Sequence, residues 1–319
     1  MTTVRLSPEY DVAKLQEALL VLGGQRYFPQ RTYSEGKITE TLTDGWRILP
    51  LRSPGGDPNR TDPGGPGLVD YADTPSLAEV PYLASIMAGL NTQLRAVRLM
   101  SLEAGATVEE HRDYPYGLPV GWVRLHAPIV TNDGAVLVVG GVENRWRPGG
   151  LYYADFGLPH SVRNTGDTAR VHLVLDCFVT AGLLAQFPAD FRAGLDEAET
   201  MLVRPARPIE HPRLQGFTGP IPVPAAFVAT YEQAPTIAEF EDSAAADTKG
   251  HLRIDEEGRL VLAIDDGLES ALVHIGGDEF RFLCWTEERT LAFEQRDGRT
   301  ELVFRYRHGS RRAEIRRSA

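Results

Sequence analysis

The chain has 319 residues, 42% hydrophobic and 24% charged, an ordinary globular composition with ample length for a buried core. Its formal net charge of −11 disfavours nucleic acid as a partner, and the basic tail RHGSRRAEIRRS reads as a solvated terminus. The start MTTVRLSPEYDV has no apolar signal-peptide core, and no apolar run approaches the ~18 residues of a membrane span, so a cytoplasmic protein without a membrane partner is expected.

In chain order, SPEYDVAKLQEALLVLGG predicts a first helix. Ser7 would be its N-cap and Pro8 its first position, with Leu15, Leu19, Leu20 and Leu22 on the apolar side and Gly23-Gly24 as the stop. Residues 51–67, LRSPGGDPNRTDPGGPG, predict a loop that could frame a groove. A second helix starts near Thr74 and is interrupted or delayed by Pro81. From Arg95 the hydrophobic period changes to two. RAVRLMSLEAG, GWVRLHAPIV, AVLVVGGVEN, GGLYYADFG and ARVHLVLDCFV then read as strands of an antiparallel sandwich or barrel. The two cysteines, Cys177 and Cys284, lie far apart in apolar runs and form no zinc motif, which suits small core residues in a reducing compartment.

Residues 187–202 predict a helix, and the proline-rich 204–226 predicts a linker or wrapping segment. A mostly helical stretch follows, then three hairpins turning at EEG, GGD and RDG. The expected division is a domain at 1–203, a linker at 204–226 and a small C-terminal α+β meander at 227–319.

The chemistry gathers in the β-rich middle. His111 and Asp113 in EEHRDYPYG are two apart, so in extended chain their side chains share a face. His160 in GLPHSVRN and Arg170 in ARVHLVLD complete an ordered set. Two histidines and one carboxylate suit Fe(II) with three positions open to a bidentate co-substrate and O2. Arg170, ten residues beyond His160, suits a carboxylate deeper in the barrel.

The pieces RLMSLEAGATVEEHRDY, WVRLHAPIVT, WRPGGLYYADFGLPHSVRN and ARVHLVLDCFV resemble the Fe(II)- and 2-oxoglutarate-dependent dioxygenases of the aspartyl/asparaginyl β-hydroxylase family, which includes bacterial cis-proline hydroxylases. The resemblance covers roughly residues 95–180 and does not extend to 205–319. It implies a mainly β fold with flanking helices, a double-stranded β-helix or jelly roll. His111, Asp113 and His160 would be the iron ligands and catalytic centre, and Arg170 would hold the distal carboxylate of 2-oxoglutarate. Arg124 and His126 match positions that contact the carboxylate end near the metal. Asp113 stands where vertebrate-type peptidyl hydroxylases have glycine, and Met100 stands where those enzymes use a serine.

The resemblance implies hydroxylation of an aliphatic C–H bond, with 2-oxoglutarate and O2 converted to succinate and CO2. Arg112, Tyr114, Tyr116, Trp122, Arg145, Trp146 and Arg147 are candidate substrate contacts at the mouth. The expected substrate is an Asp or Asn residue of a peptide, for example a ribosomally made natural product. A free amino acid such as proline is the alternative, and a closed pocket in place of an open channel would favour it. A non-oxygenase cupin is the alternative from another class, although a cupin usually carries HxH where this chain has His111-Arg112-Asp113. The oligomeric state and the role of the C-terminal unit stay open.

Overall fold

The computed structural model describes residues 2–34, 37–40, 44–113, 116–229, 236–242, 246–265 and 267–318. Period-two alternation from residue 94 onward produces two facing antiparallel sheets. The larger runs in the order Thr3–Glu9, Gly150–Ala154, Trp122–Val130, Arg170–Phe178, Leu94–Leu102, Trp46–Pro54 and Phe28–Pro29, with Tyr71–Asp73 also pairing Trp46–Pro54. The smaller runs Val142–Asn144, Ala135–Val139, His160–Asn164, Thr107–His111. From Leu94–Leu102 to Arg170–Phe178 the chain passes back and forth between the sheets, apart from the hairpin of Ala135–Val139 and Val142–Asn144 within the smaller one, which makes a double-stranded β-helix. Leu99, Val123, Leu125, Leu173 and Leu175 point away from the smaller sheet, into a core covered by the helices at Val12–Val21 and Pro81–Gly89. The opposite face of the same strands carries the polar residues of the site.

The N-terminus differs from expectation. Ser7 and Pro8 lie within the strand Thr3–Glu9, and the helix begins later, at Val12. Asp11 is the N-cap, its carboxylate accepting from the backbone N–H of Ala13 and Lys14 at 3.0 and 3.2 Å. Leu15 and Leu22 are buried, but Leu20 is 82% exposed and lies outside the apolar face. The expected second helix is split, as Pro81 suggested, into Pro75–Ala78 and Pro81–Gly89.

The expected loop at 51–67 starts later, because residues through Pro54 belong to a strand. Thr61 and Asp62 are fully buried, Arg98 donates to the Thr61 carbonyl at 3.2 Å, and the Gly67 carbonyl accepts from Ala271. This segment packs the jelly roll against the C-terminal sheet. The helix expected over 187–202 is only Ala189–Ala193 plus a short turn at Glu197–Glu199. Gly194 ends the first, and Asp196 caps the second through the Ala198 N–H at 2.8 Å.

The C-terminal part is an eight-stranded meander from Gly219–Pro224 to Arg311–Ser318, each strand pairing with the next. Its first strand comes from the proline-rich stretch. Pro220, Pro222 and Pro224 alternate along a sheet edge, where their missing N–H groups cost no ladder bonds. The three predicted hairpin turns are present, at Glu256–Gly258, Gly276–Asp278 and Arg296–Gly298. Between Pro224 and Asp247 the described residues hold one helix, Ile237–Asp242, and a turn at Ala225–Phe227. The rest of the helical stretch expected there lies outside the described residues. A phenylalanine-rich core, including Phe217, Phe227, Phe280 and Phe304, fills one face of the sheet. At the junction with the jelly roll, the buried Arg95 guanidinium lies 3.4 Å over Trp122 and 5.0 Å from the Trp285 ring. Cys177 and Cys284 are free and buried. Among the described residues no helix is long and apolar enough to cross a membrane.

Candidate metal and co-substrate site

His111 ends one strand of the smaller sheet and His160 begins its neighbour, and the two are paired in register. Their ring centroids are 4.2 Å apart. Asp113 follows two residues after His111, held by its backbone N–H on the Phe156 carbonyl at 3.0 Å. One ligand atom from each of His111, Asp113 and His160 lies within 4.8 Å of the others, and Asp113 Oδ1 is 3.6 Å from His111 Nε2.

Both imidazoles are oriented by the backbone. Nδ1 of His111 contacts the Glu109 carbonyl at 2.8 Å, and Nδ1 of His160 contacts the Leu158 carbonyl at 3.0 Å. A carbonyl only accepts, so each Nδ1 carries the proton and each Nε2 keeps its lone pair. Burial works against the Asp113 carboxylate, but Arg124 and the two histidines outweigh it and hold the carboxyl below its usual range. Burial pulls the His160 pKa down, favouring the neutral ligand form. At His111 burial also lowers the pKa, but the Asp113 and Glu109 contacts win and the net shift is upward. Two neutral-capable imidazoles, one anionic oxygen and outer partners on each are the donor set of an Fe(II) facial triad, so the residues fit that ion.

Behind His111, Asp113 and His160 a cavity is lined by Met100, Leu102, Leu137 and Phe156, with Arg124, His126 and Arg170 as further polar members. Arg170 is 7% exposed and burial alone lowers its pKa to about 9. Its guanidinium makes no hydrogen bond or ion pair to the described residues. His126 is buried with Nε2 unpartnered, while its Nδ1 meets His172 Nδ1 at 3.3 Å. Burial, followed by the Arg170 charge, keeps both histidines neutral. A buried cation and a buried imidazole edge, both facing an apolar cavity, are what a dicarboxylate needs to be held and desolvated.

Arg124 lines the same cavity but is already engaged. Its Nη1 donates to Asp113 Oδ2, its Nε to Asp176 Oδ1 at 2.7 Å, and its Nη2 to the Tyr116 hydroxyl at 2.6 Å. All three nitrogens are therefore engaged with protein groups. Asp176, Arg98 and His172 were missed as site residues. Two of them carried a signal: in ARVHLVLDCF the residues Arg170, His172 and Asp176 share the inward face by period two.

A groove of about 880 Å³ opens beside the centre, and Asp113 lines both it and the inner cavity. Its walls come from Arg112 and Tyr116 of the jelly roll, from Asp190, Phe191 and Glu199, and from His308 of the C-terminal sheet. Of the other expected substrate contacts, Trp122 is 2% exposed and stacks beneath Tyr116, with ring centroids 4.4 Å apart. Trp146 is buried and stacks on Tyr152. Arg145 and Arg147 are exposed on a turn outside the groove lining, and Arg145 pairs with Glu143 at 2.9 Å. Tyr114 lies outside the described residues.

The family model described as aspartyl/asparaginyl beta-hydroxylase matches residues 14–179. A curated relative, L-proline cis-4-hydroxylase of Rhizobium meliloti, is 26% identical over 220 residues, covering 66% of this chain and 72% of that protein. Among solved structures, a 2OG-Fe(II) oxygenase family oxidoreductase from Burkholderia pseudomallei aligns at 15% identity and TM-score 0.38, over 56% of this chain and 85% of the other. A Trichoplax adhaerens prolyl hydroxylase in complex with a hypoxia inducible factor peptide aligns at 13% identity and TM-score 0.39, over 59% of this chain and 88% of the other.

Proposed function

The chain belongs to the aspartyl/asparaginyl β-hydroxylase family, and from that premise we propose that it β-hydroxylates an aspartyl or asparaginyl residue within a peptide, such as a ribosomally made natural product. It is a 2-oxoglutarate-dependent hydroxylase, which sets aside the non-oxygenase cupin alternative. The observation that carries the peptide reading is the open groove of about 880 Å³ that reaches the centre at Asp113. Its walls span the jelly roll, the segment after Pro188 and the C-terminal sheet, an extent that suits several residues of extended chain more than one free amino acid.

In this reading His111, Asp113 and His160 hold Fe(II), which, with 2-oxoglutarate and O2 bound, supplies the oxidising chemistry for the C–H bond. Arg170 takes the distal carboxylate of 2-oxoglutarate through paired N–H donors. His126 presents Nε2 to the same cavity, and Met100 contributes an apolar wall where a serine would have added a hydrogen bond. Arg124 supports Asp113 in place of a direct co-substrate contact. Arg112, next in the chain to Asp113, gives the groove a guanidinium for the carboxylate or amide of the target residue.

A free amino acid such as proline is the second reading, favoured by the name of the Rhizobium meliloti relative. Both are tested by one assay. Fe(II)-loaded protein is given 2-oxoglutarate, O2 and either Asp- or Asn-containing peptides or free L-proline, and succinate is measured with the mass of the product. Succinate matched by one added oxygen on a peptide supports the proposal. Turnover of free proline, with every peptide inert, would reverse it.

A further inference from the structure

Asp176 touches no part of the cavity, yet its position governs what Arg124 can offer to Asp113. We propose that Asp176 is a positioning residue for the metal centre, acting through Arg124; the proposal rests on the reading of His111, Asp113 and His160 as the metal ligands.

Asp176 is fully buried and sits directly opposite Arg124 in the ladder between their two strands. It accepts from Arg124 Nε at 2.7 Å and Nη2 at 3.2 Å, from Arg98 Nη2 at 2.8 Å and from the Tyr116 hydroxyl at 3.1 Å. The grip on Arg124 is bidentate, along the Nε–Nη2 edge of the guanidinium. Two parallel hydrogen bonds fix the plane of the group. Only Nη1 is left over, and it reaches Asp113 Oδ2. Asp113 Oδ1 is thereby left on the side of the histidines, 3.6 Å from His111 Nε2.

The alternative geometry shows why this matters. An arginine beside a single carboxylate tends to take both of its oxygens. Without Asp176, the Nη1–Nη2 or Nε–Nη2 edge of Arg124 would be free to chelate Asp113, and the metal would compete for Oδ1. Charge reinforces the arrangement. Arg98, Asp176, Arg124 and Asp113 alternate in sign along the buried chain, so Arg98 offsets the second carboxylate and Asp176 is not drawn away. Tyr116 closes the triangle by accepting from Arg124 Nη2 while donating to Asp176.

The test compares full-length apo proteins titrated with Co(II) against a chelator, reading the dissociation constant, the visible Co(II) spectrum and the apo melting temperature. Asp176→Asn keeps shape but loses the charge and one acceptor. It should weaken Co(II) binding by about 10–100-fold, the usual cost of losing an outer partner of a ligand, and alter the Co(II) bands. Leu83→Ala, a cavity in the helix-side core far from the site, controls for stability: it should lower the melting temperature and leave Co(II) affinity within about threefold of wild type. Arg124→Lys, which keeps charge but has no bidentate edge, should reproduce the Co(II) loss and serves if Asp176→Asn fails to fold. Wild-type affinity and spectrum in either Asp176→Asn or Arg124→Lys, or a loss no larger than in Leu83→Ala, would overturn the proposal. Wild-type protein that takes up no Co(II) would sink the metal reading itself, and this inference with it.

Discussion

His160 and His111 are partners across the smaller sheet, with ring centroids 4.2 Å apart and each Nδ1 turned back onto the carbonyl two residues earlier. That pairing aims both Nε2 atoms at one point beside Asp113, and it depends on side chains already in place before any ion arrives. Anaerobic protein with Fe(II) and 2-oxoglutarate should therefore show a weak visible charge-transfer band. His111→Ala should lose the band and at least about a hundredfold of succinate formation. Chelation should bleach the wild type to the same baseline, and Fe(II) should restore it. A band surviving in His111→Ala would remove that residue from the ligand set.

Arg170 is a buried charge without a counter-ion among the described residues, a cost that the proposed binding of 2-oxoglutarate would offset. Replacing it with methionine should stabilise the apo protein by about 1–2 kcal/mol, since an unpaired buried charge is exchanged for apolar packing. The same substitution should weaken 2-oxoglutarate binding by about 30-fold or more, the range for truncating one side of a desolvated hydrogen-bonded pair. Melting temperature with and without 2-oxoglutarate reads both effects. Loss of apo stability in Arg170→Met would point to a structural partner for the guanidinium instead.

The strands and the grouping of His111, Asp113 and His160 were legible because their signals are local. Alternation over ARVHLVLDCF places polar groups on one face, and HxD spacing keeps His111 and Asp113 together. What escaped was non-local. Ser7-Pro8 mimics a helix start, and only pairing with Gly150–Ala154, far along the chain, makes that segment a strand. Asp176 drew no reading from the sequence, because its partners Arg124 and Arg98 lie 52 and 78 residues away. Likewise ENRWRPGG suggested arginines aimed at the substrate, yet the turn between the sheets points Arg145 and Arg147 outward and buries Trp146. The predicted 187–202 helix stops at Gly194, whose cost of roughly 1 kcal/mol inside a helix favours an end there.

Glu279 should give the C-terminal sheet an acid-sensitive component. Burial opposes its ionised form, but hydrogen bonds from Thr290, Arg307 and Arg204 win and lower its pKa from 4.5 to about 2. A carboxylate with a depressed folded pKa adds stability above its unfolded pKa and loses it as pH falls through the folded one. The wild type should therefore lose stability between about pH 4.5 and 2. Glu279→Gln should be destabilised by on the order of 2–3 kcal/mol at neutral pH, less than for a fully enclosed pair because Arg204 is partly exposed. Its stability should also change less across the acid window. Parallel acid profiles for the two proteins would contradict the assignment.

Gly309 ties the C-terminal sheet to the groove and tests whether that sheet helps hold substrate. It has φ +62°, and a Cβ there would come within 2.0 Å of the Ala198 carbonyl oxygen. Its N–H donates to the Pro119 carbonyl at 2.6 Å, and the next N–H, from Ser310, reaches Ala198 at 2.7 Å. The preceding residue, His308, lines the groove. Gly309→Val must therefore lift this turn from the wall, through both the backbone angle and the steric overlap. Peptide KM should rise by about tenfold, corresponding to roughly 1.4 kcal/mol of lost binding. Binding of 2-oxoglutarate, measured by the charge-transfer band, should be unchanged because the inner cavity takes no residue from this sheet. An unaltered peptide KM in a folded Gly309→Val protein would mean that substrate approaches the centre without using this wall. A parallel loss of 2-oxoglutarate affinity would mean that the sheet braces the whole jelly roll.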